Sequence, residues 1–503
     1  MSIFDVNILA SEIAQIRHGD IPVFETTLRG KIVVAGDGER IRGVIDRPCL
    51  QVVTDQIAKL SPEYIQKLKD DIPYSFKAYQ VRMIETYIDD KSNFNIRKNI
   101  QKDKHASNAT INEYLKNSID ILYTSSLSEH HHIYWRKIFT NGEQTASANI
   151  TNNCFYDGAS GILLLLHFYD RYIDNSKKYT QFIHLLRKQV IQQIEQYPSA
   201  KLGAYTGTLG EMYVLLYISQ GHPKQLIELY TVLENVLQKI AFTLITTEYK
   251  KYQQLDVIAG VAGTLLMLIE ICHFYKTFPL AVKLEKLMQT AYQILLQYGK
   301  NLVDPQTTAG FSHGTAGVSA AIGAYMRYVN IRDKRAVALI RGNIQRENQF
   351  KADEGWLDIR KDTKFQSKSW CHGTIGIGIS RLYLRPFITQ SQFASDIRLC
   401  LRHLNEPQLS LAPCHGSGGD LLFLAAYKDS LSADHNRAAI IRMAETNLQG
   451  YLTQLEQRGC CVEYGLSSNE NLGIMTGISG VLYCLLMQIK PVPNILCPGL
   501  FKL

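Results

Sequence analysis

GFSHGTAGVSAAIGAY (Gly310–Tyr325) sets a Gly-x-x-Gly turn, Gly314 and Gly317, in front of a largely apolar stretch, and the pattern returns six more times. The other pairs are Gly158/Gly161, Gly207/Gly210, Gly260/Gly263, Gly373/Gly376, Gly416/Gly419 and Gly477/Gly480. First glycines lie 43 to 61 residues apart, about 53 on average, which is room for two helices and their loops. The stretches that follow, among them ILLLLHFY, TLLMLIEI and DLLFLAAY, are apolar nearly all round, the mark of buried helices. Between them run amphipathic segments such as KKYTQFIHLLRKQVIQQIEQY (Lys177–Tyr197), which suit outer helices with one wet face. The expected fold is all-α: an (α/α)7 toroid, inner and outer rings of seven helices, with a mainly helical N-terminal extension.

Glycine pairs at helix starts permit tight turns and leave N–H groups and a positive dipole end at the helix entry. If all inner helices begin at one end of the ring, the side chains just ahead of the pairs converge on one mouth. Asp256, His313, Cys371, Cys414 and His415 stand there. Cys371, Cys414 and His415 supply two thiolates and one imidazole, and three protein ligands with a fourth position open is the pattern of a catalytic zinc. The bland alternative for Cys414-His415 is a buried thiol beside a capping histidine. For Asp256 it is a helix N-cap, a role compatible with a chemical one. The run His130-His131-His132 lies outside the repeats and reads as a solvated helix face, and Cys460-Cys461 reads as packing.

The 503 residues, 46% apolar and 20% charged, are ordinary globular composition. A net charge of +8 mildly favours an acidic partner, and no basic cluster interleaved with aromatics points to nucleic acid. The N-terminus does not read as a signal peptide, and the apolar run Ile162–Leu166 is far short of a membrane span of about 20 residues. The ten cysteines are then expected to be reduced thiols of a cytoplasmic protein.

The repeats, with GFSHGTAG (Gly310–Gly317), SWCHGTIG (Ser369–Gly376), PCHGSGG (Pro413–Gly419), LDVIAGVAG (Leu255–Gly263) and IMTGISG (Ile474–Gly480), resemble the lanthionine synthetase C-like cyclase family. EIAQIRHGDIPVFETTLRG (Glu12–Gly30) is similar to the closing segment of the dehydratase domain in class II bifunctional lanthipeptide synthetases, although Val23-Phe24 stands where an aromatic pair is more usual. The expected organisation is residues 1–100 as a remnant of such a domain, 101–144 as a helical linker and 145–503 as the cyclase. The phosphate-transfer site that the family uses for dehydration has no counterpart in the chain.

The resemblance implies a zinc-dependent cyclase. It adds peptide cysteine thiols to dehydroalanine or dehydrobutyrine, making lanthionine and methyllanthionine in a ribosomal precursor. Carried over residue by residue, Cys371, Cys414 and His415 bind one Zn2+ per chain, His313 is the general acid or base, and Asp256 orients His313 or assists in deprotonation. Some single-function cyclases carry Tyr and Arg where this chain has His372 and Ser367, and the bifunctional enzymes often carry His at the first. The implied partners are a dehydrated precursor peptide with its leader, with room for a separate dehydratase subunit and an export transporter. Three other readings stay open: glutathione addition to dehydrated peptides, a non-catalytic peptide-binding or scaffolding partner of a dehydratase, and a glycan-processing toroid. The last needs paired carboxylates in the mouth, where only Asp256 is obvious.

Overall fold

The computed structural model describes residues 6–17, 22–72 apart from 37, 59, 63–64, 67–68 and 70–71, and 107–500 apart from 130–131, 141–145, 175, 198–199, 276–278, 301–308, 360–364, 403, 405–407, 409, 432–434 and 459–470. The chain divides into two compact units, Met1–Phe76 and Lys77–Leu503. The first holds a helix (Val6–Arg17), a three-stranded antiparallel sheet (Phe24–Glu25, Val33–Ala35, Arg40–Ile41) and a second helix (Cys49–Ile57). Gln15 accepts the Val23 N–H at 3.0 Å, tying the first helix to the approach of the first strand.

The second unit is an α/α toroid. Its inner helices are Ala159–Tyr172, Thr208–Ile218, Val261–Phe274, Thr315–Tyr328, Thr374–Leu384, Ser417–Ser430 and Ile478–Ile489. Each begins directly after the first glycine of a pair, and each packs on the next, the last on the first. All-round apolarity is matched by all-round burial: in the third, every residue from Val261 to Cys272 is buried. Each large apolar side chain so enclosed contributes about 1.5–3 kcal/mol. Outer helices follow six of them, at Thr180–Gln196, Pro223–Thr246, Leu280–Tyr298, Lys334–Asn348, Gln390–Arg402 and His435–Arg458. The seventh place is taken by Asn108–Thr124, which comes from ahead of the first repeat and packs on the last and first inner helices. Its buried stripe, Ile111, Leu115, Ile119 and Leu122, has the helical spacing that seats one face in the wall.

Within 101–144, residues 108–124 are helical and 127–129, 132–134 and 136–140 are strands. Buried Ile133, Trp135 and Lys137 alternate with less buried Tyr134 and Arg136, the period of an extended chain. The strand Arg136–Thr140 pairs antiparallel with Ala146–Ile150.

Backbone hydrogen bonds join the seven helix-entry turns into a closed circuit. Tyr156 N–H donates to Tyr205 O, Ala204 to Val257, Val257 to Ser312, Ser312 to Cys371, Trp370 to Cys414, Cys414 to Met475 and Met475 to Tyr156, all at 2.9–3.1 Å. At every second glycine a carbonyl of the same turn leaves no space for a side chain, and at most of them the neighbouring turn crowds in as well. A Cβ on Gly376 would lie 2.0 Å from Trp370 O and 2.9 Å from Phe311 N.

The bore beneath the turns is filled by the chain's last described residues. Tyr205, Tyr383 and Tyr483 donate their hydroxyls to Ile495, Pro498 and Pro493 carbonyls at 2.6–2.8 Å, and Asn494 donates to Leu422 O. Gly499 N–H donates to the buried Glu270 at 2.7 Å, and Tyr217 donates to its other oxygen. Burial raises the Glu270 carboxyl to about 7, against the opposing effect of those two donors.

Gly376→Ala should cost at least about 3 kcal/mol in denaturant unfolding, because backbone and not a flexible side chain must move. Glu270 binds its proton more tightly folded than unfolded, so its contribution to stability falls as pH rises from about 4.5 to about 7. Glu270→Gln should remove that slope in urea midpoints and add up to about 3 kcal/mol at neutral pH. An unchanged pH profile would contradict this assignment.

Candidate metal centre and acid–base pair

The circuit of turns places equivalent positions side by side. Cys371 and Cys414 each stand two residues before the first glycine of their pair, and His313, His372 and His415 each stand one before. Because consecutive turns bond to one another, these residues occupy one arc of the mouth. Ser312 adds its hydroxyl to its N–H as a second donor to Cys371 O, both at 3.1 Å, locking the fourth turn to the fifth.

Cys371, Cys414 and His415 come together, their ligand atoms all within 4.8 Å of one another. Cys371 Sγ and His415 Nδ1 are 3.6 Å apart. Tetrahedral zinc with sulfur and nitrogen ligands sets neighbouring ligand atoms about 3.5–3.8 Å apart, so donor set and spacing fit that ion. Both cysteines are buried. The Cys371 thiol is held well below its usual range, first by the Cys414 sulfur beside it and further by the His372 and His415 imidazoles, against the opposing effect of burial. Two sulfurs this close hold one proton between them more readily than two, which favours the thiolate a metal needs.

His313 and Asp256 also meet. His313 Nδ1 lies 2.7 Å from Asp256 Oδ2, and the other carboxylate oxygen accepts the Ala259 N–H at 2.8 Å. Asp256 thus caps its own turn and grips the histidine at once. The carboxylate is 1% exposed and the imidazole 41%, so the anchor is dry and the ring faces the mouth. A carboxylate only accepts, so the proton of a neutral His313 sits on Nδ1 and the lone pair on Nε2. The His372 ring, singled out in the sequence only for its place after Cys371, stacks on His313 with centroids 5.3 Å apart.

Sequence reasoning missed Tyr156, whose hydroxyl donates to Cys414 Sγ at 3.0 Å. The available signal was its position, two before Gly158, matching both cysteines. The next residue, Asp157, forms an ion pair with Lys137 from the strand Arg136–Thr140 and accepts from the Cys154 thiol. Beneath the site lie Phe155, Tyr205, Phe311 and Trp370, fully buried and in mutual ring contact, an apolar floor. His132 is exposed on a strand, whereas His130, His131, Cys460 and Cys461 lie outside the described residues.

The seven-repeat toroid has its counterpart among known proteins. The lanthionine synthetase C-like protein family model matches residues 149–501, and the chain belongs to that family. A lacticin 481/lactococcin biosynthesis protein of Lactococcus lactis subsp. lactis is 23% identical over 97% of the chain, and the chain spans about half (51%) of that relative's length. Among solved structures, nisin cyclase superposes with a TM-score of 0.56 at 17% identity, covering 69% of this chain and 92% of its own, which shows a shared fold. Among the described residues, no helix is long and apolar enough to cross a membrane.

Asp256→Ala strips the acceptor from Ala259 N–H and His313 together and should cost about 1–3 kcal/mol in denaturant unfolding. Asp256→Asn retains an oxygen for Ala259 and should recover part of that loss. Equal losses in the two variants would show that the cap carries no weight.

Proposed function

We propose that the chain is a zinc-dependent lanthionine and methyllanthionine cyclase, adding cysteine thiols of a dehydrated precursor peptide to dehydroalanine or dehydrobutyrine. The observation that carries this reading is the convergence of two buried cysteines and a histidine, spaced for one metal ion, in the same mouth as a carboxylate-held histidine. Membership of the lanthionine synthetase C-like family supports it. The working body on this reading is 145–503 together with the outer helix Asn108–Thr124, and residues 1–100 correspond to the end of a dehydratase domain. The protein works in the cytoplasm on a leader-bearing peptide. A dehydratase activity supplies the substrate, and an exporter removes the product.

Cys371, Cys414 and His415 would hold one zinc, leaving one position for the substrate. Zinc supplies the deprotonation that a free thiol with a pKa of about 8.5 lacks at neutral pH. Carbon–sulfur bond formation leaves an enolate, and a proton must reach its α-carbon to complete the thioether. His313 takes the proton that the thiol loses onto Nε2, the nitrogen that the Asp256 contact leaves for chemistry, and returns it to that carbon, with Asp256 stabilising the imidazolium in between. The aromatic floor keeps water from below, where it would compete for the alkene.

Metal analysis of the purified protein should find about one zinc per chain, lost in Cys371→Ala. His313→Ala should keep the zinc while turnover of a dehydrated, cysteine-bearing peptide falls about 10²–10⁴-fold. Folded wild-type protein unable to hold zinc would defeat the proposal, and zinc loss in His313→Ala would remove His313 from the acid–base role.

A further inference from the structure

Tyr156 and Tyr205 hold the same place in consecutive turns, two residues before the first glycine, and their hydroxyls do different things. Tyr205 is fully buried and donates down the bore to Ile495 O at 2.7 Å. Tyr156 is half-buried and ends on Cys414 Sγ, 258 residues away in sequence. Its placement is fixed from several sides. Its N–H donates to Tyr205 O and its carbonyl accepts from Met475, both at 3.0 Å. Its ring meets Tyr205 edge-on at 6.3 Å. The following residue, Asp157, is held by Lys137 and by the Cys154 thiol.

We infer that Tyr156 is a positioning residue for the metal centre: its hydroxyl fixes the Cys414 sulfur and draws charge from it once that sulfur is a thiolate. A hydrogen bond to an ionised acceptor is about twice as strong as one between neutral groups, so the contact strengthens when the sulfur gives up its proton. A thiolate that shares its charge donates less to a bound metal, which leaves the metal the stronger Lewis acid toward an incoming thiol. Groups one layer out commonly set ligand orientation and metal affinity in this way. The inference rests on the zinc reading above.

The test uses cobalt(II) in place of zinc, because cobalt–thiolate centres show a sulfur-to-metal charge-transfer absorption. Removing the hydroxyl in Tyr156→Phe raises the energy of the Cys414 sulfur lone pair, so the band should move to longer wavelength. Tyr205→Phe deletes a hydroxyl at the same turn position and should leave the band in place, with circular dichroism confirming that both variants fold. Complete loss of cobalt from folded Tyr156→Phe, with Tyr205→Phe still loaded, would be the same result in stronger form. A Tyr156→Phe band at the wild-type wavelength would overturn the inference, as would an equal shift in Tyr205→Phe. Wild-type protein that takes up no cobalt would instead show that the zinc reading itself has failed.

Discussion

Seven helix-entry turns bonded backbone to backbone impose a single geometry on one end of the toroid. Each turn gives an N–H to the next and receives one from the last, so none can shift without stretching two bonds. A single hydrogen bond of this kind is worth about 0.5–1.5 kcal/mol net, but a closed circuit must open as a unit. The circuit of tight turns explains the glycines: at Gly376 the turn's own Trp370 carbonyl and the Phe311 backbone of the neighbouring turn already occupy the space of a Cβ. It also explains how Cys371 and His415, in different repeats, come to be 3.6 Å apart.

Chemistry follows from where the circuit leaves side chains. His313, Cys371, His372, Cys414 and His415, one or two places before a first glycine, meet at the mouth, while the residue three places before turns inward, as Phe155, Phe311 and Trp370 do, with Tyr205 beside them. Sulfur and imidazole therefore sit above a dry aromatic layer, itself supported by the tail carbonyls that Tyr205 and Tyr383 bind. In such surroundings two neighbouring sulfurs hold one proton between them more readily than two, and an ion pair such as Lys137–Asp157 holds its geometry.

The inner ring was legible because the glycine pairs and all-round apolar helices announce themselves at short range. The three metal-type residues were legible because Cys371 and Cys414-His415 stand in matching turns. His313 and Asp256 were legible mainly by resemblance, and the 2.7 Å contact between them joins residues 57 apart. Other features had no local signature. Tyr156 stands in YDGASG, where nothing suggests a metal site, and its role depends on a turn 258 residues away. The seventh outer helix precedes the first glycine pair, so a repeat-by-repeat reading does not assign Asn108–Thr124 to the ring. The tail carries no periodicity, since its residues are held by three hydroxyls, a carbonyl and a carboxylate of five different inner elements and not by a face of their own.

The repeats vary where the circuit permits it. Intervals between first glycines range from 43 to 61 residues, and outer helices from 13 to 24, yet each inner helix starts directly after its first glycine. Length changes in outer helices and far-side loops meet solvent and leave the turns alone. A one-residue change between a turn and its helix would rotate every inner side chain by about 100° and break two inter-turn bonds. The fold thus keeps register fixed at the mouth while the residue two before each first glycine varies from turn to turn. Ser312, Cys371, Cys414, Met475, Tyr156, Tyr205 and Ile258 can therefore share one position and differ in chemistry, and a metal centre can be written into two adjacent repeats without disturbing the other five.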